Sequence, residues 1–291
     1  MKTYLAVDLG GTKIAAALVR DNIIVHREQI ATPSAKSPEA LMNTLTSLLS
    51  PLASRADCVA VASTGIIDNG VLKALNPANL GGMNEFPLLA TIHQITGLKT
   101  VVINDAQAAA WAEFQALDQH SNNMAFITVS TGVGAGFVYN KELLIGPRGI
   151  AGHAGHMLAD PKGPVCGCGR IGCVESIASG TAIGRDGQVL FGDSCTGQMV
   201  YQKYLEGNKD AELIVRRSAK AIANLIADLT ISLDLDVVTL GGSVGLADNY
   251  LSLVQEYLSQ QPSIYQPNVI AATTGVDAGL IGVAKWAESH T

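Results

Sequence analysis

The chain has 291 residues, is 48% hydrophobic and 15% charged, and carries a formal net charge of -6. That length and composition suit a globular protein with one large or two ordinary cores, and exclude a disordered or low-complexity chain. The acidic balance sets nucleic acid aside as a partner, because phosphate-backbone binding needs a basic footprint. Residues 4–9, YLAVDL, read as a short apolar strand with Asp8 near its end. Gly10-Gly11-Thr12 reads as a turn, IAAALV as a returning strand, Arg20-Asp21-Asn22 as a second turn and IIVHREQI as a third strand. No apolar signal core precedes them, and no run of 18 apolar residues occurs anywhere, so no membrane span and a cytoplasmic setting are expected.

A Gly-Gly-Thr turn lets backbone N–H groups come close to an anion. Thr12 adds a hydroxyl, Lys13 a cation, and Asp8 a carboxylate suited to a hydrated magnesium ion. The competing reading is a tight hairpin with an incidental acid. A Walker loop is absent: G-x4-G-K-[ST] is found nowhere.

Pro38 to Leu52 has Leu41, Leu45, Leu48 and Leu49 at helical spacing. DCVAVAS, 57–63, reads as a buried strand ending at Thr64-Gly65, and 74–83 as a loop with Asn76 and Asn79. A helix over 87–96 leads to a continuous apolar strand, 99–103, of the kind found in parallel sheets. It ends at Asn104-Asp105, and a helix begins at once. An acid between a strand's carboxyl end and a helix's amino end is where α/β proteins place ligands, and the helix dipole favours its ionised form. Simple helix capping is the alternative reading.

The opening pattern then recurs. AFITVST, 125–131, reads as a strand, Gly132-Val133-Gly134-Ala135-Gly136 as its turn and FVYNKELL as the return. Aligning Gly10 with Gly132 offsets the units by 122 residues and implies two related halves.

Cys166, Cys168 and Cys173 fall within eight residues, with His156 upstream. Three thiolates and one imidazole make a closed tetrahedral shell for structural zinc, about one ion per chain. Three cysteines cannot all pair, and Cys166 and Cys168 are too close in sequence to bridge comfortably, so a disulfide reading is weaker. Cys58 and Cys195 read as ordinary buried thiols.

Residues 182–197 carry little pattern and read as a flap or a short helix. Residues 210–229 read as a long helix with Leu213, Ala221, Leu225 and Ile226 on its inner face. DVVTL, 236–240, is a strand entering Gly241-Gly242-Ser243-Val244-Gly245, and a last helix spans 277–288. No low-complexity linker separates the halves, which fits a hinge.

The run H-x9-C-x-C-G-x2-G-C-x-E, from His156 to Glu175, resembles the signature of the ROK family of sugar kinases and repressors. The resemblance extends over the whole chain. It implies an α/β protein with two similar domains of the actin/hsp70/hexokinase (ribonuclease H-like) fold flanking an ATP cleft. The expected domains are 1–117, completed by a C-terminal helix at about 277–291, and 118–276, which carries the zinc loop. Asp105 is the implied general base. Ala6, Val7, Asp8, Leu9, Gly10, Gly11, Thr12 and Lys13 of the first strand and turn, with Thr131, Gly132, Val133, Gly134, Ala135 and Gly136 of the second, are implied to hold the ATP phosphates and magnesium. Gly241 and Gly242 are implied to line the adenosine pocket. Gly65, Asn79, Asn104, His153, His156 and Glu175 are implied to contact the sugar, and His156, Cys166, Cys168 and Cys173 to hold zinc.

TGI at 64–66, LNPANLGG and the 151–175 stretch are most similar to the branch that phosphorylates N-acetylmannosamine at its 6-hydroxyl, with glucose and N-acetylglucosamine kinases as alternatives. Many members carry Glu where this chain has His153, three residues before the zinc histidine; His153 is therefore expected to contribute to epimer choice at carbon 2. The repressor branch is disfavoured, because the phosphate strand begins at Tyr4 and the chain is acidic. A homodimer is expected from the family.

Overall fold

The structure, a computed structural model, describes residues 2–35, 37–75, 85–117 and 121–291. The loop asparagines Asn76 and Asn79 lie outside the described residues. In chain order the elements are β1 Tyr4–Leu9, β2 Lys13–Arg20, β3 Ile23–Ala31, α1 Pro38–Ala53, β4 Cys58–Ser63, β5 Ile66–Asp68, β6 Val71–Lys73, α2 Leu88–Thr96, β7 Lys99–Asn104 and α3 Asp105–Ala116. There follow β8 Met124–Val129, β9 Val133–Tyr139, β10 Glu142–Leu143, α4 Glu175–Ala178, α5 Gly180–Phe191, α6 Gly197–Leu205 and α7 Lys209–Leu233. The chain closes with β11 Val237–Gly241, α8 Gly242–Gly245, α9 Tyr250–Leu258, β12 Asn268–Ala271 and α10 Ala278–Glu288. Two compact units form: residues 1–118, 143–152 and 273–291, and residues 119–142 and 153–272.

The first unit is built on a sheet of order β3-β2-β1-β4-β7, in which β1, β4 and β7 run parallel and β2 and β3 return antiparallel. Side chains of a strand alternate between faces. Leu5, Val7 and Leu9 of β1 therefore join a core with the leucines of α1, while Tyr4 and Ala6 join a second core with α10. Asp8 continues the second set. That face is made of small residues, among them Ala15, Ala17, Ala60 and Ala62, so α10 lies close to the sheet. Close contact recurs between the helices, where a Cβ on Gly282 of α10 would sit 1.8 Å from the Ala108 carbonyl oxygen of α3.

Glu113 of α3 is 1% exposed. Its carboxylate accepts the backbone N–H groups of Thr273 (2.9 and 3.1 Å) and Thr274 (2.7 Å), and both threonine hydroxyls donate to it. A buried carboxylate needs such donors. It ties the strand-to-helix connection before α10 to the helix that begins with Asp105. Glu113→Ala is expected to cost about 3 kcal/mol or more, because charge-assisted bonds are lost and buried donors are left unpaired. Urea unfolding checks it; a loss under about 1 kcal/mol would assign the clamp no weight.

The second unit repeats the plan with the order β10-β9-β8-β11-β12. β1 begins at Tyr4 and β8 at Met124, so the strands are offset by 120 residues, and the expected alignment of Gly10 with Gly132 overruns by two. The second turn is also tighter: the last pair of the first hairpin is Leu9 with Ile14, that of the second Val129 with Val133, one residue fewer between them.

Residues 180–191 form a regular helix, α5, capped by Ser179. Its pattern is weak in the sequence because glycines replace apolar residues at the α6 contact. A Cβ on Gly187 would sit 2.2 Å from Val200, and one on Gly184 would sit 2.9 Å from the Gly197 nitrogen. In α7 the inner stripe runs through Ala211, Ile214, Val215, Ser218, Ile222 and Leu225. Leu213 is a correction: it is 68% exposed, about 200° around the helix from Ala211. β5, β6, β12, α4, α6, α8 and α9 also have no counterpart in the pattern read from the sequence. Among the described residues no helix is long and apolar enough to cross a membrane.

Candidate active site

In the first unit the carboxyl ends of three parallel strands lie side by side, with Leu9 paired to Ser63 and Ser63 to Asn104. Such an edge is where open α/β sheets bind ligands. Asp8 near the end of β1 and Asp105 directly after β7 are both placed there, the two strands being two spacings or about 10 Å apart. Ala6, Val7 and Leu9 have no exposed surface; they build the strand that presents Asp8 and offer no side chain to a ligand. Thr12 and Lys13 are exposed beyond it. The turn is held by Gly10 N–H donating to the Lys13 carbonyl (3.0 Å) and by Thr32, whose hydroxyl donates to the Gly10 carbonyl (2.7 Å).

Asn104 is 7% exposed and its side chain is committed to the backbone. Oδ1 accepts from Ala106 N (2.9 Å) and Gln107 N (3.3 Å), and Nδ2 donates to the carbonyls of Gly65 (2.9 Å) and Ser63 (3.4 Å). Gln107 completes the capping box by accepting from Asn104 N (3.2 Å), and its amide donates to the Ala151 carbonyl (2.8 Å). Asp105 thus opens α3 on a fixed axis, and its own Oδ1 accepts from Ala106 N (2.8 Å). Gly65 has φ +89°, and a Cβ there would sit 2.8 Å from the Lys73 carbonyl oxygen. Only glycine keeps its carbonyl on Asn104 without strain.

Burial first, then the Asp105 carboxylate, pushes the Asp8 carboxyl up to about 6, with Lys13 and Arg27 opposing. Gly279 of α10 crowds the same carboxylate: a Cβ would sit 3.3 Å from Oδ2. A raised carboxyl gives its full stability below the unfolded value of 3.8, and that stability is lost as pH rises through about 6. Asp8→Asn is therefore expected to be the more stable chain at pH 8, by about 1–2 kcal/mol after allowance for partial exposure, with the gain gone near pH 4. Denaturation of both chains from pH 4.5 to 8 reads this; a stability advantage of the variant over the native chain that shrinks as pH rises has the wrong sign.

In the second unit His156, Cys166, Cys168 and Cys173 bring one ligand atom each to within 4.8 Å of one another. A tetrahedral ion with ordinary bonds, ~2.3 Å to sulfur and ~2.0–2.1 Å to nitrogen, sets edges of about 3.5–3.8 Å. His156 Nδ1 lies 3.5 Å from Cys166 Sγ, and Cys168 Sγ lies 3.7 Å from Cys173 Sγ. The donor set and these edges fit a structural metal of the zinc kind. Burial raises the Cys166 thiol and pushes that of Cys173 up to about 12, with neighbouring thiols adding. A cation must displace those protons. The loop is shaped for it: a Cβ on Gly172 (φ +72°) would overlap the Asp160 carbonyl oxygen at 1.5 Å, and Arg170 Nη1 donates to the His156 carbonyl (2.9 Å). His156 ends a 3₁₀ turn, Ala154–His156, that His153 precedes. His153 is not in the ligand cluster.

Glu175 follows two residues after Cys173. Its Oε2 accepts from Val133 N (3.0 Å), and its Oε1 lies 3.8 Å from Cys166 Sγ. The second glycine turn is also held by Gly180 N–H to the Ser130 carbonyl (2.7 Å) and by the Thr181 hydroxyl to the Thr131 carbonyl (2.8 Å). Gly132 and Gly134 are partly open, Thr131 is exposed, and Ala135 and Gly136 are sealed in β9. Gly242 (φ +86°) presses on the end of β8, where a Cβ would sit 2.4 Å from the Val129 carbonyl oxygen, and Ser243 Oγ lies 3.1 Å from Ser130 Oγ. Gly241 and Gly242 are thus placed beside the turn, with a Gly241 Cβ 2.8 Å from Phe126. Sequence reasoning missed Gln107, Glu113 and Thr181. N-x-x-Q at a helix start signals the first; nothing local signals the others.

Known proteins match this arrangement along its whole length. N-acetylmannosamine kinase of Escherichia coli (strain K12) is 52% identical over 291 residues, covering 99% of each chain. Among solved structures, the ROK hexokinase from Thermus thermophilus superposes with a TM-score of 0.86 at 30% identity, covering 99% of both chains. The ROK family glucokinase from Streptomyces griseus, solved in complex with glucose and AMPPNP, gives 0.79 at 28% identity, again covering 99% of both. The ROK family profile matches residues 4–290, and the chain belongs to the ROK family.

Proposed function

We propose that this chain transfers the terminal phosphoryl group of ATP to the 6-hydroxyl of N-acetylmannosamine, in amino-sugar (sialic acid) catabolism. The observation that carries the reading is the 52% identity, over 99% of both chains, to an N-acetylmannosamine kinase. Phosphoryl transfer asks the protein mainly for positioning, charge neutralisation and a base. Asp105, fixed by the Asn104–Gln107 capping box, accepts the proton of the sugar hydroxyl late, as the loose transition state forms. Backbone N–H groups of the Gly10–Thr12 and Thr131–Gly134 turns other than those of Gly10 and Val133, which are bonded within the protein, take the phosphates together with the Lys13 ammonium. Asp8 is the carboxylate for a hydrated magnesium ion, which when bound neutralises phosphate charge. The Gly241-Gly242 turn takes the adenosine.

Gly65, Asn79, His153, His156 and Glu175 are assigned to the sugar, and Asn104, whose side chain is taken up by the backbone, holds Gly65 and the start of α3 in place for it. Zinc on His156, Cys166, Cys168 and Cys173 leaves Nε2 of His156 as the free ring nitrogen, since Nδ1 faces Cys166. With the metal bound, Cys166 would be a thiolate and would no longer donate to Oε1 of Glu175, which would leave that oxygen to accept from a hydroxyl. We assign residues 1–117 with about 277–291 to one domain and 118–276 to the other. The compact units support this except for 143–152 and 273–276, which group with the first. A cytoplasmic homodimer completes the reading; light scattering on the purified chain tests the dimer.

A coupled ATP assay over N-acetylmannosamine, N-acetylglucosamine and glucose tests the substrate. N-acetylmannosamine is expected to have the highest kcat/KM. His153→Glu is expected to narrow that preference by about tenfold, the size of one pocket contact. An unchanged ranking and ratio would remove His153 from epimer choice, and a native preference for glucose would replace the substrate.

A further inference from the structure

Four observations in the second unit converge on Val133. Its N–H donates to Oε2 of Glu175 (3.0 Å). Its carbonyl is pressed by Gly155, where a Cβ would sit 2.0 Å from the oxygen. Oε1 of the same glutamate lies 3.8 Å from Cys166 Sγ. Val133 itself is 5% exposed and opens β9 directly after the second glycine turn. Gly155 adjoins one cluster ligand, His156, and Glu175 stands two residues from another, Cys173. The metal loop therefore touches both peptide groups of Val133: Glu175 at the N–H of the Gly132–Val133 bond and Gly155 at the carbonyl of the Val133–Gly134 bond.

We infer that Glu175 and Gly155 make the metal loop a positioning clamp on the second glycine turn, so that metal occupancy sets nucleotide affinity as well as sugar binding. The inference deepens the kinase reading and rests on it for the identity of the turn's ligand. The chemistry is direct. A carboxylate is the strongest common acceptor for a backbone N–H, and this bond fixes the amide plane on which the neighbouring Gly132 and Gly134 depend. Gly155 needs to be glycine because backbone, not a flexible side chain, faces its Cβ position. Gly132 is crowded by Glu175 itself, at 2.6 Å from a Cβ to Oε2, so the turn and the glutamate fit each other. Glu175 is a positioning residue in this role. A glutamine keeps an acceptor for Val133 N–H but not a carboxylate's charge for the sugar, which separates its two duties.

The experiment follows hydrogen exchange of peptides covering 130–136, with β1 as an internal standard, in the metal-loaded native chain, Glu175→Ala and Glu175→Gln. ADP affinity is measured by calorimetry without sugar. Loss of one charge-assisted bond is expected to speed exchange of the turn about tenfold and to weaken ADP about tenfold in Glu175→Ala. Glu175→Gln is expected to restore both within about threefold while sugar affinity stays low. Should Glu175→Ala not fold, chelation of the native chain reads the same clamp: the turn loosens while β1 does not. Unchanged exchange of 130–136 in Glu175→Ala and after chelation overturns the inference and leaves Glu175 a sugar contact only. Failure of the native chain to bind ADP would instead overturn the kinase reading, and the clamp would be decided by exchange alone.

Discussion

Asp105→Asn is expected to lower kcat with N-acetylmannosamine by about 10⁴-fold, the upper range for a general base, while ADP binding and the melting temperature stay near native. Asparagine has the same shape and remains acceptable at the first position of a helix, and the cap of α3 is made by Asn104 and Gln107, which the substitution does not touch. On the proposed reading, what would be lost is basicity toward the incoming hydroxyl, an interaction made chiefly in the transition state. A second readout is independent of turnover. The Asp105 carboxylate contributes to the raised pKa of Asp8, so its neutralisation should move Asp8 down from about 6, which carbon-detected NMR of the side-chain carboxyl can follow. A fall in kcat under tenfold would take the base away from Asp105. A fall in stability and ADP binding of the same size as the kinetic loss would mean that the residue serves the fold.

The second large effect is loss of the metal. Mass spectrometry of the native chain is expected to find about one zinc ion per chain. Cys173 is fully buried, and its thiol holds its proton up to about pH 12 when no cation is present. The metal-free loop therefore buries neutral thiols where the loaded loop has bonds, and the difference appears as stability. At free zinc a thousandfold above its dissociation constant the linkage is worth about 4 kcal/mol. For a chain of this size that corresponds to roughly 8–16 °C in melting temperature. Cys173→Ser and chelated native protein should melt at similar, lowered temperatures, and zinc should restore only the native chain. Equal melting of native, chelated and variant protein, with no zinc found, would leave the four side chains as a thiol cluster without a cation.

Both effects centre on residues legible in the sequence, because each is encoded within a short window. Asp105 announces itself by an apolar strand stopping where a helix starts. The candidate metal ligands announce themselves by spacing, since a tetrahedral ion would gather its donors from one loop. The duplicated strand–turn–strand was legible for the same reason, although glycine content misled its alignment by two residues.

What stayed hidden depends on partners far away in the chain. Leu213 belongs to a helix whose inward stripe is chosen by its neighbours, so an apolar residue alone could not say which face it took. The glycines of α5 look like weak helix and prove to be contact points for α6. Glu113 finds its donors 160 residues later, and Glu175 finds the Val133 amide 42 residues earlier. By itself the sequence determined the long strands of both sheets except β12, the helices α1, α2, α3, α7 and α10, the candidate ligand set and the acid at the head of α3, because hydrogen-bond period, capping and ligand spacing act over a few residues. Only the tertiary structure decided that β1, β4 and β7 align their carboxyl ends, and that Glu175 grips the second turn. Those facts follow from the packing of whole layers, in which a side chain's partner is selected by proximity in space and leaves no mark on its neighbours in sequence.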